Sequence, residues 1–577
     1  MKIFQYKEPK NNSNFELLEN EYEGLKSEDI EAPVPNNQNE NPKEDKSRKF
    51  KKPLHIKEWN EVKEESENQP ATPENLVDFS LQVNLQRIKK EFRLPKNNDI
   101  VLREFKVAGN TDACIVFVDG MIDKNIINDY ILRPLMKEEN FAKFHDGCLL
   151  KYIADNVISV NDLYKAKEYQ TEIIPKLLNG LTALFVEGCE ECLLIESKGY
   201  EKRSVDKPVA ENVISGPQEA FTENLRTNIT LIRRMLKNKE LVTEILPIGG
   251  MNNSSCALMY LDGVTSPELV KEVKKRICSI KSDFIMGNGM LEQFIEDMPF
   301  MIFPQVLNTE RPDRAVSFLM EGQAVILTEG SPLASTVPVT FFTFLHTSED
   351  SFSRWQYGTF LRLIRFFALM LAIFLPGLYV ALILYHREMI PTDLLASIIK
   401  AEENVPFPTI VEVMIMELSF ELIREAGIRV PGIIGTTLGI IGALILGQAA
   451  VAANIVSPIL IIIVAITGLG NFAIPSNSLA SGVRILRFAF ILLGVIAGFY
   501  GISAGIAVLG GYLCSMKSFG VPFLSPVAPK SAKSKDVFLR QPIWKQEDRP
   551  DYMNTQNRKM QPHIARGWIG KKGDNKE

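Results

Sequence analysis

The distribution of apolar and polar residues divides the chain into two halves of different character. Between Val430 and Val483 the chain runs for 54 residues without one ionisable side chain. Two further uncharged, mainly apolar runs flank it, Phe366–Tyr385 and Phe488–Met516. Before residue 350, apolar residues instead come in short runs separated by charged and turn-forming residues. Because about 20 apolar residues in a helix cross the hydrocarbon of a bilayer, the pattern predicts a water-soluble half followed by a membrane half.

Four crossing helices are predicted in the membrane half. The long uncharged run can hold two of them, with a turn near Ala452–Ser457, and each flanking run gives one more. Arg362 and Arg365 precede the first run, and 13 basic against 6 acidic residues follow Met516, so we expect both ends in the cytoplasm. The membrane domain is placed at 351–516, with spans at about 366–385, 433–451, 456–475 and 488–512.

An acidic amphipathic helix is predicted at 409–427, between the first and second spans. Glu417, Glu421, Arg424 and Glu425 fall within an arc of about 100° when plotted at 100° per residue. The favoured interpretation is a helix that lies at the membrane interface. The alternative is a helix whose acidic face lines a water-filled path through the bilayer, which would reverse the side of the C-terminus.

Small and polar residues recur within the predicted spans. Glycines spaced by four are typical of helices that pack closely in lipid, and they include Gly435, Gly439, Gly447, Gly494 and Gly498. Three amides are candidates for hydrogen bonds between helices or for the lining of a pore, and these are Gln448, Asn454 and Asn471. With Glu417 and Glu421 they form the candidate ion path.

An internal repeat indicates two related α/β subdomains in the soluble half. "CIVFVDGMIDKNIINDYI" from Cys114 aligns with "CALMYLDGVTSPELVKEV" from Cys256, and each predicts a buried strand, an Asp-Gly turn and an amphipathic helix. A second pair of segments, ending at Gly188 and Gly330, matches at nearly the same offset. We therefore predict subdomains at 76–215 and 216–350, connected through a helix at 223–236. The fold class is an α/β soluble region of two related subdomains plus an α-helical, multi-span membrane domain.

The repeat also assigns the apolar stretch before the first span. Ala324–Thr328 corresponds to a segment of the first subdomain that is plainly soluble, so we predict a strand there. For residues 338–345 the sequence leaves a location at the membrane surface as an open alternative. The glycines of both Asp-Gly pairs are expected in turns that need positive φ, in preference to ligand contacts.

Composition adds two polar tails and excludes several functions. Residues 1–75 are rich in Asn, Glu, Lys and Pro and predict a disordered charged tail, and 517–577 predict a basic cytoplasmic tail. The basic run Lys46–Lys52 is interpreted as a solvated segment, so no nucleic-acid partner is expected. Seven dispersed cysteines and five unclustered histidines indicate reduced thiols and no metal site. "GISAG" at 501–505 lies in a predicted membrane helix rather than after a strand, so we predict neither an enzyme nor a cofactor.

Five long phrases resemble the A subunit of the GerA-type spore germinant receptors: "SGPQEAFTENLRTNITLIRRML", "FPQVLNTERPDRAV", "PFPTIVEVMIMELSFELIREAGIRVPGIIG", "LGQAAVAANIVSPI" and "SFGVPFLSPVAP". The resemblance covers about residues 90–529. It implies a multi-pass protein of the spore inner membrane that works with a transporter-like B subunit and a lipoprotein C subunit. It also implies a homo-oligomer that forms a nutrient-gated ion path in the lipid bilayer.

The family phrases also contain six polar residues that we expect to form a network between the soluble subdomains: Arg226, Asn228, Arg233, Glu310, Arg311 and Asp313. Two competing functions stay open, an ion-coupled transporter and a membrane scaffold that does not conduct. A transporter is expected to repeat within its membrane part, whereas the repeat found here lies in the soluble half.

Overall fold

The computed structural model of the chain describes residues 75–144, 148–199, 207–208, 211–429, 447–531 and 537–562. The predicted tail at 1–75, apart from its last residue, lies outside the described residues, as do Gly435, Gly439 and most of the predicted span at 433–451.

The first subdomain is a five-stranded antiparallel sheet covered on both faces. Successive side chains of a strand point to opposite faces. Cys114 and Phe185 face a layer that contains helix α1, Leu81–Glu91, while Ile115 and Leu184 face a second helical layer. Burial on both faces explains why the repeat begins with an unbroken apolar run. The strands, in the spatial order β1-β2-β4-β5-β3, are β1 Ile100–Val107, β2 Thr111–Val118, β3 Leu163–Ala166, β4 Leu181–Val186 and β5 Cys192–Glu196.

The remaining helices of this subdomain are short, and three of them are π-helical. The π-helical segments are Ile126–Leu132, Ile153–Val157 and Tyr169–Ile173. They adjoin α-helical turns at Arg133–Met136, Leu149–Tyr152 and Ile174–Leu177, and a 3-10 turn lies at Glu138–Phe141.

The second subdomain has the same strand order, β6-β7-β9-β10-β8, again with antiparallel neighbours. The Asp-Gly turns after β2 and β7 place Gly120 at φ +84° and Gly263 at φ +80°, as predicted for turns that need positive φ. The predicted strand Ala324–Thr328 is β9. The other elements are α2 Leu225–Met235, β6 Leu241–Ile248, β7 Ser254–Leu261, α3 Pro267–Cys278, α4 Asn288–Ile295, β8 Leu307–Thr309, α5 Pro312–Met320 and β10 Ala334–Val337.

The segment that the sequence left open as a membrane-surface contact is buried inside the protein. Phe341–Leu345 forms a 3-10 helix, and Phe344 is 0% exposed. The ring of Phe341 packs edge-on against Phe303 and Phe523, with centroids 6.3 and 6.1 Å away. A short helix, Ser348–Phe352, then leads into the helical bundle.

Within the described residues the bundle contains five α-helices, and residues 447–452 are also helical. By length and composition, two segments are long and apolar enough to cross a membrane, namely α6 and α10. The five are α6 Trp355–Tyr385, α7 Thr392–Glu402, α8 Thr409–Arg429, α9 Pro458–Phe472 and α10 Asn477–Ser515.

Helix α10 is broken in its middle, so the prediction of one span at 488–512 is wrong. Ala497 and Gly498 leave helical geometry, and Gly498 has φ +58° and ψ −140°. Residues eight apart in a continuous helix are about 12 Å apart, yet a side chain on Gly501 would collide with the backbone of Leu493. The second half of α10 therefore folds back along the first half.

The two ends of the bundle have different neighbours. We call the end beside the second subdomain the sheet end and the opposite end the far end. At the sheet end, a Cβ placed on Gly482 would lie 2.7 Å from the carbonyl oxygen of Ile302. At the far end, the Tyr385 hydroxyl donates to the Val495 carbonyl at 2.7 Å, and the ring of His386 stacks on Phe499 at 4.5 Å. Both α6 and the first half of α10 thus run from the sheet end to the far end.

The acidic helix α8 lies lengthwise along α9. The backbone N–H of Ser457, at the start of α9, donates to Glu412 at 2.9 Å. Further along α8, Phe420 packs against Phe472 with ring centroids 6.2 Å apart. Helix α8 therefore runs along the bundle beside α9.

The segment after α10 returns to the second subdomain. It begins with a small hairpin of β11 Lys517–Ser518 and β12 Val521–Pro522, and it includes 3-10 turns at Ile543–Lys545 and Asp551–Met553. Arg549 donates to the Met320 carbonyl at 2.6 Å, and the N–H of Gln556 donates to the Val264 carbonyl at 3.0 Å. Part of the predicted basic tail is therefore packed on the second subdomain.

Candidate functional site

A group of buried charges lies where α8 meets the first half of α10. The side chains of Glu417 and Arg487 are 0% and 1% exposed. Arg487 Nη1 lies 2.8 Å from Glu417 Oε2, and Arg487 Nη2 donates to Glu421 Oε1 at 2.8 Å. Because Glu417 and Glu421 are one helical turn apart, a single guanidinium contacts both carboxylates.

Two further arginines complete what we call the charge cluster, which consists of Glu417, Glu421, Arg424, Arg484 and Arg487. Arg424 Nη2 lies 3.1 Å and Arg484 Nη1 3.5 Å from Glu421 Oε2. When all five groups are ionised, three cations face two carboxylates. The cluster therefore has a formal excess of one positive charge.

Hydrogen bonding within the charge cluster is incomplete. Among the described residues, neither oxygen of Glu417 accepts a well-directed hydrogen bond, and Arg487 Nε and Nη1 donate none. The 2.8 Å approach of Arg487 to Glu417 is therefore a charge contact without hydrogen-bond alignment. A buried ion pair recovers its desolvation cost only when the remaining donors and acceptors are also satisfied. The cluster can thus take up water or an ion without losing an aligned hydrogen bond at Glu417.

The other candidates for the ion path do not join the charge cluster. Gln448 and Asn454 are exposed, and Asn454 has φ +52° in the turn predicted near 452–457. Asn471 is buried near the sheet end of α9, and its side-chain oxygen has no partner among the described residues. The structure therefore brings together Glu417 and Glu421 and separates the three amides from them.

The predicted packing glycines have different roles. A Cβ on Gly494 would lie 2.6 Å from the carbonyl oxygen of Gly377, so the backbones of α6 and α10 approach closely there. Gly498 is instead the break in α10, where its positive φ is tolerated because glycine has no Cβ. Among the described residues, a Cβ on Gly447 would meet Ile461 at 3.8 Å, which is an ordinary contact.

In the soluble half, Arg233 joins the two subdomains. This α2 side chain is 1% exposed and contacts Asp99, which lies just before β1. Its Nε donates to Asp99 Oδ2 at 2.6 Å and its Nη2 to Asp99 Oδ1 at 3.0 Å. The carbonyls of Asn238 and Leu241 and the side chain of Asn97 accept its remaining hydrogen bonds.

Of the other five residues predicted for this network, Arg226 also reaches across the subdomains, pairing with Asp119. Asn228 hydrogen-bonds to Thr222 and so fixes the start of its own helix. The remaining three hold the connecting segment against the second subdomain. The Glu310 carbonyl accepts from the N–H of Phe221, while Arg311 pairs with Asp313 at 3.0 Å and donates to the carbonyls of Glu211 and Pro217.

Sequence reasoning missed three partners. Arg484 and Arg487 contact the carboxylates of α8, and Asp99 contacts Arg233. A usable signal for the two arginines was present, because they are the first ionisable residues after the long uncharged run. Carboxylates predicted inside a bilayer require cations nearby, so these arginines were the natural partners to test. Asp99 had no comparable signal, since it lies 134 residues from Arg233.

Three features that bear on catalysis can be located in the described part of the chain. No three His, Cys, Asp or Glu side chains in the described ranges are grouped to hold a metal ion. Burial raises the pKa of the Cys114 thiol to about 12, so this cysteine is not a nucleophile at neutral pH. The "GISAG" motif is helical and lies in the second half of α10.

Comparison with known proteins gives consistent matches over most of the chain. The profile of the family described as Bacillus/Clostridium GerA spore germination protein matches residues 86–552. Spore germination protein KA of Bacillus subtilis (strain 168) is 37% identical over 506 residues, covering 86% of this chain and 92% of that protein. Uncharacterized membrane protein YfkQ of the same strain is 38% identical over 455 residues, covering 78% of this chain and 88% of that protein.

One solved structure is also similar, the crystal structure of the N-terminal domain of the A subunit of the Bacillus megaterium spore germinant receptor GerK3. It is 29% identical and covers 47% of this chain and 99% of that domain, with a TM-score of 0.37.

Proposed function

The chain belongs to the GerA family of spore germination proteins, as a germinant-receptor A subunit, and we propose that it oligomerises in the spore inner membrane to form a nutrient-gated ion path. Opening of this path would trigger germination. The observation that carries the proposal is the charge cluster, in which Glu417 and Arg487 are buried between α8 and α10, a helix apolar enough to cross a membrane. Buried ionisable groups in such a bundle are expensive and mark ion or proton pathways.

Membrane placement of the bundle is supported by its outer surface. Large apolar side chains are exposed along its helices, among them Leu469 at 68%, Ile496 at 73% and Val508 at 73%. Such a surface is unfavourable in water and suits lipid chains. We propose that six segments cross the bilayer: α6, α8, the span predicted from the sequence at 433–451, α9 and the two halves of α10.

The C-terminal segment supports a cytoplasmic location for both ends. It follows the second half of α10, which returns to the sheet end, and Arg549 and Gln556 bind the second subdomain. The soluble subdomains and the C-terminal segment therefore lie on one side of the membrane. The sequence prediction proposed the same side with a different count, because it took α8 as interfacial and α10 as one span.

We propose that the charge cluster is the closed state of the path. While α8 and α10 are in contact, Arg487 pairs with both carboxylates, and Arg424 and Arg484 add their charge at Glu421. Separation of these helices would free Glu417 and Glu421 to face water, and repetition around an oligomer would produce acidic rings, which favour cations.

Currents across planar bilayers that contain the purified protein test this mechanism. Glu417→Gln and Glu421→Gln are expected to change conductance or cation preference while the assembly remains intact. Glu425→Gln is the matched control, since Glu425 lies on the same helix but is exposed. If both test variants conduct like the parent, the cluster is structural and the path lies elsewhere. If the parent protein carries no current with its partners present, the non-conducting scaffold becomes the better function.

The transporter-like B subunit and the lipoprotein C subunit are the proposed partners. Spores that lack this chain are expected to ignore its cognate nutrient and still respond to triggers that bypass receptors. Loss of either partner is expected to give the same phenotype. A normal nutrient response in a strain with no redundant receptor would contradict the assignment.

A further inference from the structure

A short apolar turn, residues 298–302, projects from the second subdomain beside the bundle; we call it the Phe300 turn. Its backbone is closed by a hydrogen bond from the N–H of Met301 to the carbonyl of Met298 at 3.1 Å. Phe300 is 97% exposed and Ile302 is 41% exposed. Exposure of a whole phenylalanine side chain in water is unfavourable, so the feature calls for an apolar environment.

The Phe300 turn is held in place by buried hydrogen bonds. Gln305, which is 1% exposed, donates from Nε2 to the Met298 carbonyl at 2.7 Å and accepts from the Met298 N–H at 3.0 Å. The hydroxyl of Ser518 donates to the Gln305 carbonyl at 2.8 Å. Since Ser518 follows α10 by three residues, the turn is fixed to the place where the last helix ends.

Two more contacts fix the turn to both ends of α10. The Asp297 carboxylate accepts from the Phe519 N–H at 2.6 Å, just beyond the end of α10. On the other side, the carbonyl of Ile302 lies against Gly482, in the second turn of α10. The Phe300 turn thus lies at the level where α10 starts and ends.

We propose that the Phe300 turn inserts into the headgroup region of the cytoplasmic leaflet. This inference rests on the membrane placement of the bundle proposed above. Phe is among the apolar residues with which interfacial protein segments reach the headgroup boundary of a bilayer. The turn exposes its Phe side chain while its backbone is hydrogen-bonded internally. The apolar surface continues from the turn along α10, where Ile485 is 60% exposed one turn beyond Gly482. This continuity with the lipid-facing surface favours lipid over a second protein as the occupant.

Tryptophan fluorescence in vesicles tests the insertion. The full-length protein, with its four native tryptophans replaced by phenylalanine, would carry one reporter at a time. Phe300→Trp is the test. Leu492→Trp, at a half-exposed position on the outside of α10, is the control for hydrocarbon depth, and Phe79→Trp in the first subdomain is the control for water. The vesicles would contain lipids brominated either near the headgroup end or near the methyl end of the acyl chains. We expect Phe300→Trp to lose at least about half of its emission with the shallow bromines, and less with the deep ones.

The outcomes separate the proposal from its premise. If the Leu492→Trp reporter is quenched and the Phe300→Trp reporter behaves like Phe79→Trp, the turn lies in water and the inference is wrong. A blue-shifted Phe300→Trp emission without bromine quenching would also overturn it, because a protein surface would then cover the turn. If the Leu492→Trp reporter itself escapes quenching, the membrane placement of the bundle fails as well.

Discussion

Two buried arginines, Arg233 between the soluble subdomains and Arg487 in the helical bundle, are satisfied to different degrees. Each is 1% exposed and each contacts carboxylates from another element. Arg233 donates from all three of its nitrogens, to side chains and to carbonyls. Arg487 has one well-directed hydrogen bond, to Glu421, and its Nε and Nη1 have none among the described residues.

The difference shows how one type of ion pair can have two uses. A buried pair with complete hydrogen bonding resists separation, because any opening exposes several unpaired groups at once. A buried pair with incomplete hydrogen bonding loses less when water or an ion enters. The first arrangement suits a fixed joint between subdomains, and the second suits a gate.

Removal of Arg233 should have the largest effect. Arg233→Ala leaves Asp99 buried without its cation, and we expect a loss of about 3–5 kcal/mol in the unfolding free energy of the soluble region. Hydrogen exchange of the β1 and β6 amides in the full-length protein measures it. The matched control is Arg234→Ala, since the neighbouring pair with Glu219 is about one-third exposed at each side chain and should contribute about 1 kcal/mol or less. Equal losses in the two variants would contradict the role assigned to Arg233.

A double-mutant cycle at Arg487 and Glu417 sharpens the comparison. Arg487→Gln leaves Glu417 buried without its cation, and adding Glu417→Gln should restore part of the lost stability. We expect a coupling energy of about 1–3 kcal/mol, below the effect of removing Arg233, because the contact lacks aligned hydrogen bonds. Thermal unfolding in detergent micelles measures each variant. A protein with Arg487→Gln alone that is as stable as the parent would show that Glu417 is already hydrated.

Asp350 offers a third buried carboxylate, at the junction of the two halves. Its side chain is 0% exposed, and Arg365 Nη1 donates to its two oxygens at 2.8 and 3.0 Å. Burial acts to raise the pKa of Asp350, but the hydrogen bonds and charge of Arg365 hold it below the ordinary value. Its stabilisation is therefore present above the unfolded pKa of about 3.9 and is lost as pH falls through the lower folded pKa.

We expect Asp350→Asn to cost about 1.5–3 kcal/mol at neutral pH and to match the parent in strong acid. Unfolding midpoints measured at neutral pH and in strong acid check this. If the unfolding midpoints of the two proteins differ by the same amount at every pH, the charge of Asp350 is not the cause of the stability difference.

Substitution of Glu292 should have the smallest effect on the unfolding free energy. Its dependence on pH should be opposite in sign to that of Asp350. Burial raises the pKa of this carboxyl group to about 7, although a hydrogen bond from Asn308 at 2.8 Å acts to lower it. A raised pKa contributes stability below the unfolded value of about 4.3, and this contribution is lost as pH rises through 7. We expect Glu292→Gln to be more stable than the parent by about 1 kcal/mol under alkaline conditions and equal to it in acid. Unfolding midpoints of the parent and of Glu292→Gln, measured across this pH range, check the prediction. If the parent loses no stability relative to Glu292→Gln between pH 5 and 8, the prediction is wrong.

The sequence predicted the soluble half better than the bundle, for a physical reason. Strands, Asp-Gly turns and helices leave local patterns, so the repeats around Cys114 and Cys256 indicate two related units from the sequence alone. The break at Ala497–Gly498 left no such pattern, since a glycine turn between two apolar helices has the composition of one long helix. For the pairing of Glu417 with Arg487, the sequence offered only the position of the arginine just after the uncharged run, because the contact itself depends on which helices are neighbours.

The return of the C-terminal segment has a consequence for how the protein is made. Arg549 binds the carbonyl of Met320, 229 residues earlier in the chain. The ribosome therefore releases the second subdomain long before the segment that covers it, and every helix of the bundle is synthesised in between. Until the C-terminal segment is synthesised, the surface around Met320 and Val264 lacks these contacts. Docking of that segment can therefore occur only after every helix of the bundle has been synthesised.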